Sequence, residues 1–297
     1  MIKPPSLIKG DAIGLVAPAR QVSEAEMQAA INIFKQRGYR PVVGQHLYDA
    51  EHQFAGSDDV RTADMQQMIE NPEIKAIVAA RGGYGCVRLV DKLNFDPLLA
   101  CPKWLVGYSD LTVFHSHFSR IGLQSLHASM PINFAENSPE SLQSLFDAME
   151  GQTIHYQWPT ASLNRSGKAV GPLVGGNLSV LYSLLGSRSF PDTRNCILFL
   201  EDLDEYLYHI DRMMMALKRA GALQNLSGLI VGGLHKMHDN NIPFGKSAEE
   251  IIHQAVDEYG FPVAFGFPAG HQTDNRALVL GAEVKMSVGG DVICQFL

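Results

Sequence analysis

The sequence predicts an α/β fold in two parts: a parallel, doubly wound sheet first, then a mixed, β-rich half. Two observations carry this. In the first half, short apolar runs alternate with stretches whose apolar residues recur at three- and four-residue steps, the pattern of strands alternating with helices in a parallel sheet. In the second half strands outnumber helices, glycine turns multiply, and the last two strands join at Gly289-Gly290-Asp291, a hairpin signal. A chain of 297 residues is long enough for a large core in one or two domains.

Each element follows in order. "AIGLVAPA" reads as the first strand; its apolar run, Ala12 to Val16, is too short for a secretory segment. "SEAEMQAAINIFKQRG" is a helix, with Ser23 and Glu26 as a capping box and Gly38 as its stop. "RPVVGQHL" is strand and "DVRTADMQQMIEN" helix; "IKAIVAARGGYG" is a strand opening into a glycine loop, and "VRLVDKL" a helix. In "KWLVGYSDLTVFHSHF" the strand Trp104-Leu105-Val106 ends at Gly107-Tyr108-Ser109-Asp110. Beyond it Leu111, Phe114, Phe118 and Ile121 mark one face of a helix. "LQSLHAS" is strand, and "SPESLQSLFDAMEG" is a helix with Ser138 as cap and Pro139 in its first turn.

Small and polar residues then cluster from about Trp158 to Pro172, which puts a boundary there: residues 1–160 form one domain and 168–297 the other. Past it, "KAVGPLVGG", "CILFLED", "SGLIVGGL", "PVAFGFPAG" and "ALVLGAEVKMSV" read as strands. "NLSVLYSLLG", "EYLYHIDRMMMALKRAG" and "AEEIIHQAVDEYG" read as helices.

Composition excludes several classes. A net charge of −7 with dispersed Lys and Arg leaves no basic face for nucleic acid, and no segment has the length to span a membrane. Cys86, Cys101, Cys196 and Cys294 show no CxxC pair, so they read as reduced, mostly buried thiols in the cytoplasm. His115 and His117 face different ways on their helix, and His235-x-x-His238 is a weak metal signal. "NNIPFGKS" has Asn240 where a phosphate loop needs glycine. No metal and no cofactor is expected.

Ligands of open α/β sheets bind beyond the carboxyl ends of the strands, and two such ends here are unusual, "AARGGYG" and "VGYSD". On the turn alone, Ser109 or Asp110 reads first as a helix cap and second as a nucleophile elbow. Gly82, Gly83 and Gly85 free backbone N–H groups to point at a ligand. They suit a tight turn, or half an oxyanion hole whose other half is the N–H of Asp110; a GxGxxG cradle is absent because Arg88 stands where its last glycine belongs. Glu201 ends the apolar run Ile197 to Leu200, where a carboxylate is costly unless paired. His271 follows a Gly-Phe-Pro-Ala-Gly loop. Each has a plain structural reading singly. Jointly they give the chain order Ser…Glu…His of α/β-hydrolase triads, although Gly107-Tyr108-Ser109-Asp110-Leu111 lacks the second glycine of GxSxG.

"GYSD", "RGGYG", "GGNL", "LFLEDLDE" with "IDRM", and "GFPAGH" resemble the LD-carboxypeptidases of the murein tetrapeptide type, from about Lys3 to the chain's end. The resemblance implies a serine peptidase with a Rossmann-like N-terminal domain and a β-rich C-terminal domain, usually a homodimer. It implies Ser109 as nucleophile, Glu201 as the acidic member and His271 as base. The implied substrate is a murein-derived peptide, L-Ala-γ-D-Glu-meso-diaminopimelate-D-Ala, which loses its terminal D-alanine during cytoplasmic murein recycling. A related branch hydrolyses processed microcin C, a peptidyl adenylate; "RGGYGCVRLV" is more similar to the carboxypeptidase branch. On this expectation Asp110 and Gly83 N–H groups receive the oxyanion and Arg88 holds the terminal carboxylate. Asn177 reaches the cleft or caps its helix. The competing expectation is a non-catalytic α/β binding module in which Ser109 is unreactive.

Overall fold

Five short apolar strands form the parallel part of the first sheet: β1 (Ala12–Val16), β2 (Arg40–Val43), β3 (Ile74–Ala79), β4 (Trp104–Gly107) and β5 (Ser125–His127). The computed structural model describes residues 1–297. All five residues of β1 are buried, as a strand covered on both faces requires. The spatial order is 2-1-3-4-5. The chain leaves β1 in one direction for β2 and in the other for β3, so a crevice opens at the carboxyl ends of β1 and β3. Helices α1 (Glu24–Gln36), α2 (Asp58–Glu70), α3 (Asp96–Ala100), α4 (Thr112–Arg120) and α5 (Pro139–Met149) complete this half. The capping box of Ser23 and Glu26 forms as expected, and Ser138 caps α5 with Pro139 in the first turn.

The second sheet is mixed. β7 (Gly167–Asn177), β8 (Ile197–Leu203), β9 (Gly228–His235) and β10 (Val263–Phe265) run parallel. β12 (Glu283–Val288), β13 (Asp291–Phe296) and β6 (His155–Pro159) extend the sheet antiparallel from β7. The expected hairpin joins β12 to β13. Helices α6 (Leu178–Ser183), α7 (Leu207–Arg219) and α8 (Ala248–Ala255) complete this half. One apolar core contains residues of both sheets, among them Leu15, Val78 and Val106 from the first and Leu173, Phe199 and Val284 from the second.

Three expectations change. "ALVLGAEVKMSV" is two strands: β11 (Leu278–Leu280) pairs antiparallel with β5, and the chain turns at Gly281, φ +84°, before entering β12 in the other sheet. β6 lies before residue 160 and yet belongs to the second sheet, so the sheets exchange one strand each across the expected boundary. "VRLVDKL" forms a short 3-10 turn, Cys86–Arg88, in place of a helix. The Cys86 N–H is taken by the Asp110 carboxylate at 2.8 Å and the Arg88 guanidinium by Asp58. Val87 and Val90 add β-branching that a short helix tolerates poorly.

Candidate active site

Three strand ends of the first sheet supply one wall of a cleft. Arg20 follows β1, Arg81-Gly82-Gly83 follows β3, and Ser109 follows β4. Tyr108 is extended, and Ser109 then turns to φ +63° before a 3-10 turn leads into α4. A left-handed serine is uncommon and carries about 1–3 kcal/mol of strain. The turn holds its hydroxyl out from the sheet. Gly82 makes room for it: a Cβ there would lie 3.0 Å from the Ser109 Cβ and 3.2 Å from its Oγ. Gly83, at φ +111°, lies under the methylenes of Arg20. Gly85 is turned away, against the backbone of Pro18 and Ala19.

The second sheet supplies the opposite wall. Glu201 is fully buried near the end of β8. His271 descends from the loop after β10, where Gly270, at φ +111°, rests directly on the Glu201 side chain; a Cβ there would meet Oε2 at 2.7 Å. The loop is tied down by the Gly270 N–H, which donates to Asn275 Oδ1 at 2.8 Å. The three residues form a line. His271 Nδ1 donates to Glu201 Oε2 at 2.8 Å, and the Ser109 hydroxyl donates to His271 Nε2 at 3.1 Å.

The charges respond to one another. Burial pushes the Glu201 carboxyl up, but the positive charge and N–H of His271 outweigh it and hold the group below its ordinary value of 4.5. Burial likewise pushes His271 down, and the attraction of Glu201 with its hydrogen bond raises it above 6.5. Tyr108 packs edge-on to the His271 ring, centroids 4.9 Å apart.

Asp202 points the other way from Glu201 along β8 and lines the cleft. Its carboxylate accepts from Asn177 Nδ2, the Ser179 N–H and the Leu203 N–H, at 2.8–2.9 Å. Burial, then the neighbouring Glu201 charge, push it up to about 7 against the pull of these donors. Asn177 does both jobs expected of it: its Oδ1 caps α6 by accepting from Val180 N at 3.1 Å, and it lines the cleft. Its N–H donates to Thr112 Oγ1 at 3.0 Å, tying β7 to the start of α4.

Ser109, Glu201, His271, Gly83 and Asn177 therefore converge. Asp110 sits beside them with its carboxylate turned inward on Cys86 N–H. Arg88 does not converge. It is half-exposed, paired with Asp58 at 2.8 Å, and absent from the cleft lining, because the 3-10 turn swings it away. The cleft arginines are Arg20 and Arg81, in a cavity of about 410 Å³. No cluster of three or more His, Cys, Asp or Glu side chains is arranged to hold a metal ion.

Residues 13–128 match the LD-carboxypeptidase N-terminal domain, and residues 170–286 match the LD-carboxypeptidase C-terminal domain. The chain belongs to the LD-carboxypeptidase family. It is an enzyme, a serine carboxypeptidase. The chain is 34% identical over 296 residues to a probable murein peptide carboxypeptidase of Bacillus subtilis (strain 168), covering 96% of this chain and 91% of that one. It superposes on the crystal structure of a muramoyltetrapeptide carboxypeptidase from Oxalobacter formigenes with a TM-score of 0.88 at 27% identity, covering 96% of this chain and 98% of that one. It is also 26% identical to a microcin self-immunity protein of Escherichia coli, over 95% of this chain and 91% of that one.

Four charged cleft residues carried no expectation from the sequence: Arg20, Arg81, Asp202 and Asp204. The strand-end rule applied to β1 would have found Arg20, since "VAPAR" ends in it; Arg81 stands in "AARGGYG", a strand end already singled out, but for its glycines. Asp202 gave no signal beyond standing next to Glu201.

Proposed function

We propose that this enzyme releases the terminal D-alanine from the murein tetrapeptide L-Ala-γ-D-Glu-meso-diaminopimelate-D-Ala. The observation that carries the reading is the hydrogen-bonded line Ser109–His271–Glu201 opening into a cleft that also holds two arginines. Ser109 Oγ attacks the diaminopimelate carbonyl while His271 Nε2 takes its proton. Glu201 keeps the imidazole in the tautomer with Nδ1 protonated and stabilises the imidazolium, without itself taking up the proton. The oxyanion is received by the N–H groups of Asp110 and Gly83; each such donor contributes roughly 10²–10³-fold to kcat. The partial positive charge at the start of the helical turn favours the alkoxide as well. His271 then returns its proton to the nitrogen of D-alanine as the C–N bond breaks, and a water, activated by the same histidine, hydrolyses the acyl-serine.

A carboxypeptidase must hold a free terminal carboxylate, and an arginine fork suits that task. Arg20 and Arg81 take the role expected of Arg88, which is committed to Asp58. Asp204, across the same cleft, offers negative charge to a substrate ammonium. Four free thiols, three of them buried and none in a disulfide, suit a reducing cytoplasm, where this reaction serves murein recycling. On this reading the enzyme works as a homodimer. No helix is long and apolar enough to cross a membrane.

The likeness to the microcin self-immunity protein favours a second reading, cleavage of a peptidyl adenylate. A purine asks for an aromatic platform, and the cleft offers only Tyr108 and His271, which pack on each other. Mass spectrometry of the tetrapeptide, incubated with the enzyme and separately with Ser109→Ala, decides between them. Loss of one alanine with the wild type alone supports the first reading. No loss from the tetrapeptide together with hydrolysis of an aminoacyl adenylate supports the second.

A further inference from the structure

Behind the catalytic line lies a buried compartment that the reaction just described does not use. His127, the last residue of β5, is fully buried, and neither ring nitrogen has a hydrogen-bond partner. Its ring meets Phe199 edge-on at 5.0 Å, Tyr108 at 5.8 Å and His115 at 6.4 Å. Phe199 and Glu201 stand two apart on β8, so their side chains share one face of the sheet. Glu201 uses only one carboxylate oxygen on His271; the other, Oε1, is buried and unpartnered. Of the charged groups, those that act on His127 are Glu201 and His271.

A neutral imidazole carries one donor and one acceptor, and burying both unused is costly. The neighbours here are aromatic, and a phenylalanine would fill the same space without that cost. The side chain that stands there is instead a donor without an acceptor, in the same compartment as a carboxylate oxygen without a donor. Asn177 supplies the third polar group. Its Nδ2 spends one hydrogen on Asp202, and the second is available toward Glu201, whose carboxyl it helps to hold down. Two donors and one acceptor are the partners that an internal water needs.

We propose that His127 is a positioning residue of the catalytic line. Its ring N–H, through one internal water shared with Asn177 Nδ2, holds Oε1 of Glu201 and so fixes the rotation that keeps Oε2 on His271. His115 takes no part: its Nε2 donates to Gly107 O at 2.9 Å and its Nδ1 accepts from Ser125 Oγ at 2.8 Å, so its ring is fully committed.

The inference rests on the proposed triad, and the test separates the two. The one-dimensional proton spectrum of the free enzyme reports the low-field signal of the His271 Nδ1 proton without any substrate. In His127→Phe that signal should shift or broaden, and His127→Gln, which keeps an N–H, should restore it. With the tetrapeptide, His127→Phe should lower kcat roughly 10- to 100-fold at unchanged KM, the scale of a slightly misplaced catalytic group, and His127→Gln should recover most of it. A His127→Phe enzyme with reduced stability but an unmoved signal and full kcat overturns the proposal. His127→Leu carries the same test if the phenylalanine does not fold. Failure of the wild type to cleave the tetrapeptide counts against the proposed substrate, and the spectrum still decides the role of His127.

Discussion

Ser109 is held at φ +63° by the turn that presents it, and the strain lies in its backbone and not in its hydroxyl. Removing the hydroxyl and removing the Cβ should therefore separate. Ser109→Ala and Ser109→Gly should both lose turnover, while thermal unfolding should find the glycine enzyme about 1 kcal/mol more stable than the alanine one, since glycine alone enters this region without steric cost. Equal stabilities would mean that the turn is unstrained. Gly82 gives the converse case. A methyl there would press on the Ser109 Oγ at 3.2 Å, so Gly82→Ala should cut kcat far more than it changes the denaturation midpoint, a split that paired kinetic and urea measurements would detect. At this scale the sequence was readable where a functional side chain ended an apolar run, as Ser109 and Glu201 do, or followed a glycine-bounded loop, as His271 does. It misled at Arg88, whose direction depends on a 3-10 turn and a carboxylate thirty positions away.

Many polar contacts join the two halves, and one of them lies directly beside the site. Thr112, fully buried at the start of α4, accepts the Asn177 N–H at the end of β7, and Gly176 packs against the same side chain. Thr112→Val keeps the shape and deletes the acceptor, leaving a buried N–H unpaired. Chemical denaturation should show a loss of about 1–3 kcal/mol, and kcat should fall as well, because Thr112 lies three residues past Ser109 while Asn177 pairs in register with Glu201. A stability loss with unchanged kcat would show that the contact braces the fold without aligning the catalytic groups. Strand and helix order was legible because burial on both faces makes parallel strands continuous apolar runs. The exchange of β6 and β11 between the sheets was not. Which sheet a strand joins is decided by partners far along the chain, and the only local mark was Gly281, one glycine in a half rich in them.

At the scale of the whole molecule, the proposed catalytic line draws Ser109 from one half and Glu201 with His271 from the other, so on that reading the same proton governs both activity and stability. His271 is raised above 6.5 by its buried carboxylate. A raised histidine contributes stability that is fully present below its unfolded value and lost as pH rises through its folded value. Catalysis needs the opposite state, since a protonated His271 cannot accept the Ser109 proton. Between pH 6 and 8, kcat/KM should therefore rise, with its midpoint above 6.5, while the contribution of this pair to stability falls. The buried His115 and His127, pushed down to about 3 and about 4 by burial, complete their titration below this window; Asp202, pushed up to about 7, titrates inside it and is common to both enzymes compared below. Urea denaturation at a series of pH values, compared between the wild type and His271→Ala, isolates the pair. The difference in stability between the two enzymes should shrink toward pH 8 as wild-type activity grows. If that difference stays constant across the window, the Glu201–His271 ion pair does not raise the histidine, and the base is neutral for a reason other than the pH at which it works.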